Sequence, residues 1–155
     1  MKPTFVVEHV QTQKHLEDAL SVRRRVFIDE QSVPESIERD EFDQWRPDRD
    51  DVLHVVGYLG DRAVAAGRVV MRVASGGVPK IGRIAVLKEL RGEGLGVEIM
   101  KHLHDLSESR GASSVKLSAQ CQALSFYVSL GYEPVGDIYL EANIEHQMME
   151  YRFGR

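Results

Sequence analysis

Apolar positions along this chain switch between a period of two and a period near 3.6, and the switches mark its elements. Residues 5–10 form a short β-branched run and predict a first strand. Residues 11–31 change to helical spacing, with Leu16, Leu20, Arg23, Phe27 and Glu30 near one face and Ala19, Val22 and Val26 beside it. Arg23 and Glu30 either line a cleft or edge that stripe. For Arg23 we expect the second, its stem on apolar surface and its head in water. Residues 32–51 lose periodicity, and Pro34, Pro47 and Trp45 mark them as irregular, with a short helix after Pro34. Residues 52–59 and 62–74 read as strands joined by a hairpin at Gly60-Asp61. A turn at 75–79 leads to a strand over 80–86, apolar enough to be central. A helix over 97–110 follows, with Leu95, Ile99, Leu103 and Leu106 at core spacing and Gly111 at its end. Residues 115–119 predict a strand and 120–130 a short helix stopped by Gly131. Residues 132–140 and 146–153 predict a closing pair of strands.

The order is β, α, irregular, then β-β-β-α-β-α-β-β. That predicts one α/β domain over residues 1–155, with a mixed, mostly antiparallel sheet of about seven strands flanked by helices. A chain of 155 residues is long enough to bury a sizeable core. A doubly wound dinucleotide fold would alternate strand and helix throughout, and no acidic residue follows a second parallel strand to hold a ribose.

Composition narrows the classes. Hydrophobic content of 43% with 28% charged residues is that of a soluble globular protein. The net charge of −4 and the lack of any basic cluster beyond Arg23-Arg24-Arg25 argue against nucleic acid as a partner. No apolar window approaches the roughly 18–20 residues of a membrane span, and residues 1–5 do not resemble a signal peptide. The single cysteine, Cys121, has no internal partner and fits a reducing cytoplasm, the compartment we expect. Charge is unevenly spread. Residues 29–51 hold ten acids against Arg39, Arg46 and Arg49, so this segment is −7 and the rest +3. It reads either as a solvated loop or as a substrate loop that attracts a cation and takes its proton.

The stretch Arg91-Gly92-Glu93-Gly94-Leu95-Gly96 lies between a predicted strand and a predicted helix. Glycines there admit a ligand to the backbone, several N–H groups converge, and the helix dipole favours an anion. Three glycines in a turn are weak evidence alone. No metal site is expected: His102 and His104 are two apart on a helix and point to different faces. Cys121 reads as a small packed thiol, and His146 receives no role.

Ile84-Ala85-Val86 followed by Arg91-x-x-Gly94-x-Gly96 resembles the acetyl-coenzyme A motif of the GNAT N-acetyltransferases. Gln120-x-x-Ala123-x-x-Phe126-Tyr127-x-x-x-Gly131-Tyr132 is similar to that family's second signature, with glutamine where asparagine is usual. Arg24, Val26, Phe27, Glu30-Gln31, Pro34 and the Glu38-x-Asp40-x-x-Asp43 run resemble the ElaA-like subgroup, as does Leu140-Glu141-x-x-Ile144-x-His146-x-x-Met149. Acyl-homoserine lactone synthases share a similar fold and a comparable arginine and acid arrangement, including an arginine like Arg68, but generally lack so clean a glycine loop.

The resemblance implies acetyl transfer from acetyl-coenzyme A to a primary amine by direct attack, with no metal. It implies that Arg91, Gly92, Glu93, Gly94, Leu95 and Gly96 hold the pyrophosphate. It also implies that Ile84, Ala85 and Val86 pair with the pantetheine arm, with Gln120 and Phe126 beside it, and that this strand splays from the one at 115–119. Tyr127 is the expected general acid, since a phenol of pKa about 10 suits a leaving thiolate of about 8 to 9. Glu30, Glu38, Asp40, Asp43 and His54 are base candidates, with Glu30 and Asp40 preferred. The acidic segment favours a small cationic amine or a peptide or lysine amine. A homodimer through the C-terminal strands is a further expectation. A non-catalytic acyl-coenzyme A-binding module and a long-chain acyltransferase are the alternatives.

Overall fold

The computed structural model of the chain describes residues 3–71 and 77–154. Strand β1 (Phe5–His9) leads into helix α1 (Gln13–Arg23), whose start is fixed by Thr12: the hydroxyl accepts the His15 N–H at 3.1 Å. The helix predicted over 11–31 has two geometries, because α1 widens at Arg24 into a π-helical turn that runs to Glu30. Such turns are rare and gather at functional segments. Helix α2 (Glu35–Glu38) is one turn after Pro34, as expected, and a 3-10 turn spans Glu41–Asp43. Strands β2 (Val52–Leu59), β3 (Arg62–Val70) and β4 (Lys80–Val86) form an antiparallel meander. The expected end of the second of these at 72–74, and part of the following turn at 75–76, lie outside the described residues. Helix α3 (Leu95–Ser109), strand β5 (Ser114–Gln120), a 3-10 turn at Cys121–Ala123, helix α4 (Leu124–Ser129), and strands β6 (Glu133–Glu141) and β7 (Ile144–Arg152) follow. Gln120 ends β5 rather than opening a helix, because the buried alternation of Val115, Leu117 and Ala119 carries the strand to it.

The seven strands form one sheet in the order β1-β2-β3-β4-β5-β7-β6. Val55, Ala65, Val69 and Ile81 pack with Ile99, Met100 and Leu103 of α3. Val56, Val64, Ala66 and Ala85 pack on the opposite face with Ala19 and Val22 of α1. Alternation along each strand supplies both layers. Strand β4 breaks the parity: Ile81 and Ala85 are both odd-numbered yet face opposite cores. The register explains it. Ala66 pairs Ala85 and Arg68 pairs Gly82, so Arg83 and Ile84 together oppose Gly67. Arg83 is the extra residue of a β-bulge, in left-handed backbone at φ 54°.

The bulge coincides with a break in the sheet. Strands β4 and β5 are parallel and pair only at Lys80↔Lys116 and Ile81↔Leu117. A bulge bends the strand that carries it, and pairing stops where this one begins. From Gly82 to Val86 the β4 edge that faces β5 has no strand partner among the described residues.

Candidate active site

The parted strands open a cavity of about 790 Å³, toward the upper end of the roughly 300–1,000 Å³ usual for ligand pockets. Ile84, Ala85 and Val86 form its β4 wall, and Leu117, Ser118 and Gln120 its β5 wall. Arg91, Gly92, Gly94, Leu95 and Gly96 bring the glycine turn to it, and Phe126 and Tyr127 bring α4. Ile37, Glu38, Lys80, Arg83, Glu141 and His146 are also among the lining residues. The expected donor-side residues thus share one cavity, apart from Glu93.

The turn is shaped for a ligand. Gly92 and Gly94 sit at φ 85° and 84°, and a Cβ on either would meet nothing within 4 Å. Backbone angle, not crowding, requires glycine there, and the space over it is open. Gly94 is the N-cap of the fifteen-residue α3 and offers no side-chain cap, so the first N–H groups of the helix are available to an anion. Gly96 is close-packed instead: a Cβ would lie 3.3 Å from Phe126.

Two preferred base candidates are elsewhere. Glu30 does not line the cavity: Arg91 Nη1 and Nη2 each donate to its carboxylate at 2.7 Å. That hydrogen bond holds Glu30 below its ordinary range. Asp40 does not line it either. Arg68 donates to both its oxygens at 2.7 Å, and Asp40 also accepts the Phe42 N–H as a helical cap. Burial raises the pKa of Asp40, but the bonds to Arg68 outweigh this and keep it ionised. Both are anions already matched to guanidinium groups, which weakens them as bases.

Nor is Arg23 a surface residue. It is 1% exposed and lies between two acids, donating to Glu38 Oε2 at 3.0 and 2.8 Å and to Asp43 at 2.7 and 2.9 Å. Burial opposes the ionised form of Asp43, yet Arg23 and Arg68 hold its carboxyl far below the usual range. His54 is buried against the same cluster, with Nε2 2.9 Å from the Phe42 carbonyl. Burial first, then Arg23 and Arg68, lower it to about 4, so it stays neutral. Three acids of the segment, Glu38, Asp40 and Asp43, are therefore matched by arginines from α1, β3 and β4.

Tyr127 is 9% exposed and edge-on to Phe126 and Tyr132, at 5.0 and 5.8 Å between ring centres. Burial pushes its hydroxyl up to about 12. It is thus a weaker acid than the free phenol, better suited to hydrogen-bonding a thiolate than to giving up its proton outright.

His146 lines the cavity and went unassigned from sequence. Its Nδ1 is 2.7 Å from the Ile144 carbonyl. A carbonyl only accepts, so Nδ1 carries a proton and the neutral ring keeps a lone pair on Nε2. Nε2 is 3.6 Å from the Glu141 carboxylate, and Tyr139 stacks on the ring. In the sequence it stood only within the Leu140 to Met149 pattern, with no role; the register of β7 places it opposite Gln120. Gln120 in turn exchanges amide hydrogen bonds with Gln31 at 2.8 and 3.3 Å, tying the end of β5 to the π-helical turn. Cys121 is a free thiol outside the lining. His104 bonds the Tyr132 hydroxyl in an aromatic cluster, while His102 contacts the Glu98 carbonyl.

The chain is similar to known proteins. The acetyltransferase (GNAT) domain profile matches residues 8–153. The uncharacterized N-acetyltransferase YjcF of Bacillus subtilis is 40% identical over 140 residues, covering 89% of this chain and 94% of YjcF. Protein ElaA of Escherichia coli is 33% identical over 129 residues, covering 82% of this chain and 80% of ElaA. The crystal structure of E. coli ElaA superposes with a TM-score of 0.81 at 28% identity, over 97% of this chain and 99% of that one. At 13% identity, where the fold alone is compared, an aminoglycoside 6'-N-acetyltransferase complexed with coenzyme A superposes with a TM-score of 0.74, over 95% and 96% of the two chains. A profile match over residues 8–153 and an ElaA relative, on a sheet parted beside a glycine turn, place the chain in the GNAT acetyltransferase family, among its ElaA-like members.

Proposed function

We propose that this protein transfers an acetyl group from acetyl-coenzyme A to a primary amine by direct attack. The observation that carries the proposal is the unpaired β4 edge from Gly82 to Val86, which leads to a glycine turn with open space over it. A coenzyme bound in the fold relative supports the same use here. In this reading Arg91 and the N–H groups at the start of α3 hold the pyrophosphate, and the free β4 edge receives the pantetheine arm as an added strand. The bound thioester supplies an activated acyl carbon and a thiolate leaving group.

The amine nitrogen forms a C–N bond to that carbon as the C–S bond breaks, and nitrogen must lose a proton. His146 accepts it on Nε2, with Glu141 beside it to stabilise the imidazolium and Ile144 to hold the ring. Tyr127 donates a hydrogen bond to the departing sulfur, and solvent completes protonation of the thiol.

The test is thiol release from acetyl-coenzyme A with the full chain and a panel of primary amines. Release that depends on the amine is the expected result. Coenzyme binding with no release on any amine overturns the proposal.

A further inference from the structure

Four guanidinium groups, of Arg23, Arg39, Arg68 and Arg83, meet three carboxylates, of Glu38, Asp40 and Asp43, in one cluster beside the cavity. Among the described residues one positive charge is left over. Arg23 and Arg68 are almost fully buried, and each holds a carboxylate through both sides of its fork. Arg83 differs from both. Its side chain is 26% exposed and it alone of the four lines the cavity. Its Nε donates to the Glu38 carbonyl at 3.1 Å and its Nη2 reaches the Ile37 carbonyl at 3.4 Å. Among the described residues no partner is seen for Nη1. Glu38 Oε2 at 3.1 Å from Nε and Asp40 Oδ2 at 3.5 Å from Nη2 hold the same guanidinium, so Nη1 is the nitrogen left for a ligand.

The backbone marks the same residue. Arg83 is the bulged residue of β4, and left-handed backbone is strained for arginine where glycine would be at ease. Without the bulge its side chain would take the parity of Ile81 and face the α3 core. Lys80, on the same strand, also lines the cavity and makes no salt bridge among the described residues. Of the cavity's two carboxylates, Glu38 is already held by Arg23, Arg39 and Arg83, and Glu141 stands by His146. The acceptor half of the cavity is thus cationic, the reverse of what the acidic sequence of 29–51 implies.

We infer that the acceptor is an amine that also carries a carboxylate, an amino acid or a peptide with a free acid group, and that Arg83 receives that carboxylate with Lys80 in support. The inference rests on the acetyltransfer reading above. A guanidinium edge suits a carboxylate by geometry as well as by charge, since two parallel N–H groups match its two oxygens.

The test compares amino acids with their own carboxamides and decarboxylated amines (lysine, lysinamide and cadaverine, for example), with the full chain and acetyl-coenzyme A. The expected result is a kcat/KM at least tenfold higher for the carboxylate of each set, with the advantage in KM. Arg83→Gln lowers kcat/KM for the carboxylate more than for its carboxamide and so erases the advantage. Arg83→Gly is the second variant, because the left-handed backbone favours glycine and the bulge is kept; coenzyme A binding by both checks the fold. Equal or faster reaction of the carboxamide or decarboxylated amine overturns the inference and leaves acetyl transfer standing. An advantage that survives both substitutions overturns the role of Arg83. Reaction of no amine, with coenzyme A still bound, overturns acetyl transfer and the inference with it.

Discussion

Glu30 and Arg91 form a two-pronged ion pair that joins the π-helical turn after α1 to the glycine turn before α3, with both N–O distances at 2.7 Å. The pair is partly exposed, and such pairs contribute at most about 1 kcal/mol to folding. Its effect falls on binding instead, because a pyrophosphate at the glycine turn competes with Glu30 for the same guanidinium. Glu30→Gln is expected to tighten coenzyme A binding severalfold with little change in melting temperature. Arg91→Ala weakens binding about tenfold or more. Titration calorimetry at fixed ionic strength reads both, and weaker binding by Glu30→Gln would show that the pair positions Arg91 rather than occupying it.

Tyr127 tests the handling of the leaving sulfur. Tyr127→Phe removes one hydroxyl from a packed aromatic site and leaves the ring in place. Turnover on a good amine is expected to fall tenfold or more, with coenzyme A affinity little changed. Because burial raises the hydroxyl to about 12, the wild-type rate shows no decline from Tyr127 ionising between pH 7 and 10. Unaltered turnover in the variant excludes the role.

What the sequence shows of this architecture is what periodicity records. Val55 and Val56 announce opposite faces of a strand, and Ile99 and Leu103 a buried helix stripe. Contacts between distant residues leave no such trace. A helical wheel puts Arg23 beside an apolar stripe, but its burial depends on Glu38 and Asp43, 15 and 20 residues on. Counting acids over 29–51 gives a negative segment; the arginines that meet Glu38, Asp40 and Asp43 from outside it come from α1, β3 and β4. The bulge at Arg83 is silent because its left-handed residue is not glycine. His146 meets the cavity only through the register of β7 on β5. The donor side was more legible, since a glycine turn between a strand and a helix is a local feature.

The buried cluster around Arg23 makes a stability prediction. Arg23→Ala leaves Glu38 and Asp43 in the interior without their main partner, and breaking a buried pair from one side costs about 3–5 kcal/mol. For a chain of this size that corresponds to a fall of roughly 10 °C in Tm. Arg23→Lys keeps the charge but loses the fork that serves both acids, and an intermediate loss is expected. Thermal unfolding of the three proteins orders them; equal Tm values would mean the cluster relaxes around the gap.

His146→Gln tests the base. Glutamine keeps a polar group near the Ile144 carbonyl but accepts no proton. At pH 7 an alkyl amine of pKa near 10 arrives protonated, so kcat/KM for the amine is expected to drop at least tenfold with coenzyme A binding unchanged. Raising the pH toward that of the amine delivers it neutral, and the deficit should shrink. A deficit that stays constant with pH would assign His146 a positioning role only.

The pH dependence of stability follows from His54. Its neutral form is buried beside Arg23 and Arg68, and its pKa is lowered from 6.5 to about 4. Between those values the unfolded chain binds the proton and the folded chain does not, so stability falls as the pH drops. The contribution is complete above about pH 6.5 and is lost progressively toward pH 4, reaching roughly 3 kcal/mol. Asp43 adds to the loss at lower pH still, since its carboxyl titrates far below the usual range. His54→Gln retains a donor near the Phe42 carbonyl and removes the titration. The Tm of the variant is therefore expected to change less than that of the wild type between pH 6.5 and 4, and parallel curves would exclude His54 as the source.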